Sequence, residues 1–227
     1  MRLTVGLSRI KPRIDKRKLA KLHYSLEWPR AKRYYIHEMT PILDKLLDDT
    51  FDSRLRKPLT KYLIISNVSV IEDFLSNLIR RIIDENDLDI SELITDEIKT
   101  ILQEKQFQKL TKGEVIAASY GYANLKHIDY VFSKLLKFPF IEYILRISRE
   151  DPARDIKGAI LLHKNWEKFE EMFDARNKIV HAMADVQLSN RAIISLCDNT
   201  LSFMDIASAL REPSYCKELV DKYGYSK

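Results

Sequence analysis

An arginine, an asparagine and a histidine lie close together near residue 180. They are Arg176, Asn177 and His181, in the segment Asp174-Ala-Arg-Asn-Lys-Ile-Val-His181. Histidine titrates near neutral pH and can act as a general base or acid. Arginine stays charged and offers a planar fork of donors to phosphate oxygens. The Asn177 amide both donates and accepts, so contact with a phosphate and orientation of His181 are both open to it.

The spacing around this trio predicts a helix with an arginine in its apolar face. One face carries residues that step by four and three: Leu162, Trp166, Phe169, Phe173, Arg176 and Val180. A charge in an apolar stripe is costly unless it has a partner or a function. A neighbouring line is polar and consists of Glu170, Asp174, Asn177 and His181. The trio is therefore expected where an apolar face meets a polar groove, with Trp166, Phe169 and Phe173 in the core.

A second long helix is expected to supply the partner of the arginine. Its apolar residues again step by four and three: Ile64, Val68, Ile71, Leu75, Leu78 and Ile82. Pro58 suits the first turn of this helix, because the missing N–H would be unpaired there. We expect helices near 59–85 and 160–183 to pack antiparallel, with Glu72 or Asp73 orienting Arg176.

The segment Arg176-Asn-x-x-x-His181 resembles the motif of the HEPN family (higher eukaryotes and prokaryotes nucleotide-binding), in which His follows Arg after four to six residues. With Asn after Arg, it looks most like the RiboL-PSP-type branch. The segment Val70-Ile-Glu72-Asp-Phe-Leu75 also resembles an early helix of that family. The resemblance covers roughly residues 59–85 and 160–210, under half of the chain.

This resemblance implies a metal-independent endoribonuclease that needs no cofactor. Arg176, Asn177, His181 and Glu72 would form the catalytic group. Cleavage by 2′-OH attack needs a base, an acid and positive charge on the phosphorane, and a single His does not easily serve as both acid and base. A homodimer that brings two copies of His181 together would meet this need. HEPN proteins also include toxins and defence effectors, so an antitoxin or defence-system partner protein is expected.

The rest of the chain predicts an all-α fold, an antiparallel helical bundle of HEPN type. No segment shows sustained two-residue alternation, which argues against a sheet. Further helices are expected at 31–48, at 91–104 capped by Ser91, at 113–121, 124–137, 140–149, 156–183 and 190–211. We expect one helical domain at 36–212, with residues 88–157 as a helical insertion, and a tail at 213–227.

The N-terminal segment 1–35 is a basic arm. It carries eleven Lys or Arg against two acids, or +9, while the other 192 residues carry −4. Basic groups interleaved with aromatics attract nucleic acid, although a solvated arm that caps the domain is the competing interpretation. The residues expected to bind RNA are Arg9, Lys11, Arg13, Lys16, Arg17, Lys18, Lys21, Arg30, Lys32 and Arg33.

Composition narrows the classes of protein further. The five glycines of the 227 residues stand apart, so they build no glycine-rich phosphate loop. Cys197 and Cys216 form no Cys-x-x-Cys motif and are expected to be free thiols, with no metal site. No apolar run approaches the ~18 residues of a membrane span and no signal peptide is evident, so a cytoplasmic location without membrane contact is expected. Two other functions stay open: a non-catalytic helical RNA-binding or scaffold module, and a subunit whose arm docks an acidic protein.

Overall fold

The computed structural model describes residues 33, 35–48, 52–86, 88–104, 107–150, 162–186 and 188–212. These residues are mostly helical and contain no strand, which confirms the all-α class. A π-helical turn, Tyr35–Met39, leads into α1 (Thr40–Leu47). The other helices are α2 (Ser53–Glu85), α3 (Asp96–Gln103), α4 (Lys112–Ser119), α5 (Leu125–Leu136), α6 (Phe140–Glu150), α7 (Trp166–Ala182) and α8 (Asn190–Ser208). Short 3-10 turns lie at Ser91–Leu93 and Ala209–Arg211.

The chain divides into two compact units. The motif unit contains the described residues from 33 to 72 and from 144 to 207. The second unit contains the described residues from 73 to 143 and from 208 to 212. The predicted insertion at 88–157 stays a prediction. The basic arm, except Arg33 and Tyr35, and the tail after Glu212 lie outside the described residues.

The core of the motif unit is built from the predicted apolar faces. Tyr35, Met39 and Leu46 are buried on one face of the first helical segment, against Leu63 of α2 and Ile193 and Cys197 of α8. A polar link crosses this core, where the Tyr35 hydroxyl donates to Asn67 Oδ1 at 3.0 Å. Burial raises the pKa of the Cys197 thiol, which is free, as the sequence predicts.

The second helix starts earlier than predicted. The α2 helix begins at Ser53, so Pro58 lies inside it and not in its first turn. Asp52 explains the early start, because its carboxylate accepts from the Arg54 backbone N–H at 2.9 Å and satisfies one of the unpaired donors at the helix end. The predicted stripe of this helix is confirmed, since Ile64, Val68, Ile71, Leu75, Leu78 and Ile82 are each at most 2% exposed.

One other predicted helix start is wrong, and one predicted helix is interrupted. Ser91 opens a 3-10 turn, and α3 begins after Thr95, whose hydroxyl accepts from the Ile98 N–H. The extended φ and ψ angles of Thr95 suit the N-cap position, so Thr95 and not Ser91 caps α3. The start predicted near 156 lies outside the described residues. Residues 162–164 are helical as predicted, but Asn165 interrupts the predicted 156–183 helix with a turn, and α7 runs from Trp166 to Ala182.

In the second unit, the carboxylate of Asp84 binds the start of α4. Asp84 accepts from the Thr111 hydroxyl at 2.6 Å and from the Gly113 N–H at 3.0 Å. Thr111 and Glu114 form a capping box at the start of α4. The two contacts of Asp84 tie the end of α2 to the start of α4.

One described helix, from Arg54 to Glu85, is long and apolar enough to cross a membrane by length and composition alone. However, 67% of its apolar window is buried inside the structure. A core helix passes the same test, so this feature is weak evidence for a membrane span.

Candidate functional site

The motif helix α7 is anchored through its aromatic residues. Phe169 is fully buried, and its ring centre lies 5.3 Å from that of Trp166, 5.5 Å from that of Phe173 and 5.1 Å from that of Phe203 on α8. Such aromatic contacts contribute beyond the area they bury. The prediction that these rings belong to the core is confirmed for Phe169 and Phe173, and Trp166 is half-buried.

Arg176 follows Phe173 on the same face and contacts both Glu72 and Asn177. Its Nη2 lies 3.7 Å from Glu72 Oε2, with the two side chains 18% and 28% exposed. Its Nη1 donates to Asn177 Oδ1 at 3.1 Å. Its Nε is buried and has no hydrogen-bond partner among the described residues. The Arg176 guanidinium therefore has an N–H group that can still donate a hydrogen bond. Because this side chain is partly buried, its charge interactions are stronger than they would be in water.

Glu72 rather than Asp73 is the acid paired with Arg176. The Asp73 carboxylate instead accepts from Asn77 Nδ2 at 3.4 Å, four residues along the same helix. Asn77 Nδ2 also donates to the Asp73 carbonyl, at 3.0 Å. The contact from Glu72 to Arg176 links α2 to α7.

His181 lies in the last turn of α7 with its side chain exposed. Met183, directly after the helix, has a left-handed backbone with φ of 51°, and the Ala184 N–H donates to the Lys178 carbonyl at 3.2 Å. These bonds close the helix end and fix where its last turn stops. Asn177 lies four residues before His181, on the same side of the helix. Because Asn177 Oδ1 faces Arg176, its Nδ2 is left to donate to a ligand or to His181.

Two lysines that sequence analysis did not single out lie beside this helix end. Lys57 and Lys61 of α2 both form ion pairs with Asp185. The distance from Lys61 Nζ to Asp185 Oδ1 is 2.7 Å. The hydrogen bond from Lys57, followed by that from Lys61, holds the pKa of Asp185 below its usual range. Along the chain, the contacts of α2 with Asp185 and with Arg176 run in opposite order, as the predicted antiparallel arrangement of the two helices requires within the motif unit.

The basic run that contains these lysines was the sequence signal for them. Residues 54–61 read Arg-Leu-Arg-Lys-Pro-Leu-Thr-Lys, with four cations and no acid. Only the fold shows that it lies next to the motif, 120 residues further along the chain.

Apolar side chains are exposed on both sides of His181. Val180 is 45% exposed and Met183 is 87% exposed. Val180 was predicted to extend the apolar face of the helix, and its exposure is a correction. The reason is that α7 reaches its last turn there, beyond the packed aromatic residues.

The remaining predicted residues contribute less to this geometry. Arg33 is exposed, and the other arm residues expected to bind RNA lie outside the described residues. Of the other described histidines, His37 and His163 are exposed, while His127 Nε2 is buried without a partner among the described residues. The structure thus brings Arg176, Asn177 and Glu72 into contact and sets His181 one turn beyond Asn177.

Comparisons with protein-family models, with curated proteins and with solved structures find no significant match to this chain.

Proposed function

We propose that this chain is a metal-independent endoribonuclease that cleaves RNA by attack of a 2′-OH on the adjacent phosphate. The observation that carries the proposal is the half-buried Arg176, held by Glu72 and Asn177 and followed one turn later by the exposed His181. An arginine with spare donors suits a phosphate, and an exposed imidazole suits proton transfer. The resemblance of Arg176-Asn-x-x-x-His181 to the HEPN motif points to the same reaction.

Each residue of the group has a defined part in this mechanism. Arg176 binds the non-bridging oxygens of the phosphate and stabilises the charge that grows on the phosphorane. Asn177 donates its free Nδ2 to the same phosphate or to His181. Glu72 does not touch the substrate and is a positioning residue for the guanidinium. Lys57 and Lys61 add positive charge beside the end of α7, where the RNA strand would continue beyond the reacting phosphate.

We propose that the active form is a homodimer. The reaction moves two protons: one leaves the 2′-OH and one reaches the 5′-oxygen of the leaving group. One His181 takes the first proton, and His181 of a second copy gives the other. The exposed Val180 and Met183 support this arrangement, because a second copy would remove their apolar surface from water.

The wider role follows from the same proposal. A cytoplasmic RNA-cleaving toxin or defence effector needs control, so an antitoxin or defence-system partner protein would hold it inactive. The basic arm would bind RNA phosphates through the ten cations named above. RNA binding by the arm would weaken with rising salt, because each phosphate contact releases counterions from the RNA.

A non-catalytic RNA-binding or scaffold module is the second candidate. The ion pair of Arg176 with Glu72 favours it, because that contact also explains the arginine without any substrate. In this case Arg176 serves packing, and His181 is one of several exposed histidines. A partner-binding subunit whose arm docks an acidic protein is the third candidate, and it would show no salt-dependent affinity for RNA.

The decisive experiment compares His181→Ala with the parent on total RNA in the presence of EDTA. The parent is expected to release fragments with 2′,3′-cyclic phosphate ends, and EDTA should leave this activity intact. His181→Ala should cleave about 10²–10⁴-fold more slowly, the usual contribution of a placed general acid or base. Because the His181 side chain is exposed, its removal leaves no buried cavity and the fold should be retained.

His163→Ala is the matched control, since this exposed histidine lies just before α7. It should cleave at the parental rate. Arg176→Lys should recover only part of the activity, because a point charge cannot make the forked contact. Equal cleavage by the His181 and His163 variants would leave the motif structural and favour the scaffold function.

A further inference from the structure

Met183, directly after α7, differs from the other described methionines in its exposure. Its side chain is 87% exposed, while Met39, Met172 and Met204 are each at most 1% exposed. The thioether of methionine is apolar and polarizable, and oxidants convert it into a polar sulfoxide. Among the described methionines, Met183 is therefore the one that an oxidant dissolved in water can reach.

The backbone holds Met183 in a conformation that its residue type disfavours. Its φ of 51° is left-handed, and glycine usually fills such a position at a helix end because it has no Cβ. The other described non-glycine residue with a positive φ is Lys137, whose Nζ pairs with Glu92 at 2.9 Å. That ion pair gives the Lys137 side chain a structural part. The Met183 side chain instead extends into solvent, so core packing does not account for a methionine at this position.

Met183 lies two residues after the exposed His181 and belongs to the same apolar surface as Val180, which is 45% exposed. A polar group at position 183 would interrupt this surface and would lie close to the imidazole. The surface is also the one that a second copy of the chain would cover in the proposed homodimer. The chemical state of Met183 therefore bears on both assembly and the candidate site.

We propose that Met183 is an oxidation site for hydrogen peroxide, and that the sulfoxide formed there opposes assembly of the homodimer. The Met183 sulfur loses two electrons and bonds to one peroxide oxygen, while the other oxygen leaves as water with both peroxide protons. The polar sulfoxide makes burial of this surface less favourable. Methionine sulfoxide reductases restore the thioether, so the change is reversible. This inference rests on the proposed function, which includes the homodimer.

The homodimer would in turn protect Met183, because a second copy covers its side chain. Oxidation then takes place in the separated chain, and the sulfoxide keeps that chain separate. The rate of oxidation at Met183 should therefore fall as the protein concentration rises. A methionine that is merely exposed, with no part in assembly, would be oxidised at the same rate at every protein concentration.

The first experiment treats the full chain with excess hydrogen peroxide and follows each methionine by peptide mass spectrometry. Met183 should be oxidised at least about tenfold faster than Met39, Met172 and Met204, because those side chains are buried. Its oxidation should also be at least about tenfold slower well above the dimer dissociation constant than well below it. Equal rates at exposed and buried methionines, or a rate at Met183 that ignores protein concentration, would overturn the proposal.

The second experiment measures the dimer dissociation constant by sedimentation equilibrium before and after oxidation. The oxidised protein should dimerise at least about tenfold more weakly, because each copy loses apolar surface at the contact. Its circular dichroism should stay helical, since Met183 lies outside the core. Met183→Leu is the matched control, because it keeps an apolar side chain, both cysteines and the other methionines. Peroxide should leave this variant's own dissociation constant unchanged, and a loss as large as in the parent would overturn the proposal.

RNA cleavage by the same samples separates this proposal from the proposed function. Absence of both cleavage and dimer in the untreated protein refutes the proposed function, and the role of Met183 fails with it. Cleavage by an untreated monomer overturns the role of Met183 and leaves the ribonuclease. A dimer that keeps its dissociation constant and its cleavage rate after full oxidation of Met183 overturns the present proposal alone.

Discussion

The ion pair between Glu72 and Arg176 offers the sharpest test of how the motif helix is held. Replacing Glu72 by Gln keeps the shape of the side chain and removes its charge. The atoms concerned are 3.7 Å apart, and the side chains are 28% and 18% exposed. At an effective dielectric constant of about 20, the attraction at this distance is about 4.5 kcal/mol before solvation is counted.

The net effect is smaller because both groups were partly desolvated on folding, and because Arg176 keeps its bond to Asn177. We expect Glu72→Gln to lower the free energy of unfolding by about 1–2 kcal/mol. For a chain of this size, about 2–4 °C in thermal midpoint corresponds to each kcal/mol, so the midpoint should fall by about 2–8 °C. Thermal and urea unfolding, followed by circular dichroism, would measure both quantities.

The matched control is Glu85→Gln, which breaks a pair with Arg81 within a single helix. Such i,i+4 pairs contribute about 0.3–0.5 kcal/mol, so this variant should shift the midpoint by about 2 °C or less. A double-mutant cycle with Arg176→Met then isolates the pair from other contacts of Glu72. A coupling energy below about 0.3 kcal/mol would refute the view that Glu72 holds the guanidinium.

Two predictions concern the second unit. A Cβ added at Gly113 would lie 2.5 Å from the Arg80 carbonyl oxygen, so Gly113→Ala should cost about 1–3 kcal/mol in urea unfolding. Gly121→Ala, where nothing lies within 4 Å, should change the stability by less than about 0.5 kcal/mol, and equal losses would contradict the clash. The hydrogen bond from Lys134 is the largest cause that lowers the pKa of Glu92 from 4.5 to about 2. A depressed carboxyl pKa stabilises the fold above about pH 4.5, and this contribution should fade as the pH falls towards 2. A carboxyl titration by NMR should show the low midpoint and a higher one in Lys134→Gln; the same midpoint in both would contradict the pairing.

Helical periodicity alone was enough to predict the fold class and most of the core. The apolar stripe of α2 and the buried Phe169 and Phe173 of α7 follow from steps of three and four residues. This works because the period of a helix is a local property of the chain, and a face that repeats with it must be buried. The placement of Arg176 within an apolar face, with Asn177 and His181 beside it, was likewise visible without any tertiary information.

Tertiary structure decided what no local pattern encodes. The choice of Glu72 over Asp73 depends on which side of α2 faces α7. The pairing of Lys57 and Lys61 with Asp185 joins residues more than 120 positions apart, and sequence distance says nothing about such contacts. Asn199 looks like any polar residue of a helix until its amide is found buried and unpaired. Burial, charge pairing and unsatisfied hydrogen bonds depend on the path of the whole chain, because each is a relation between segments that only folding brings together.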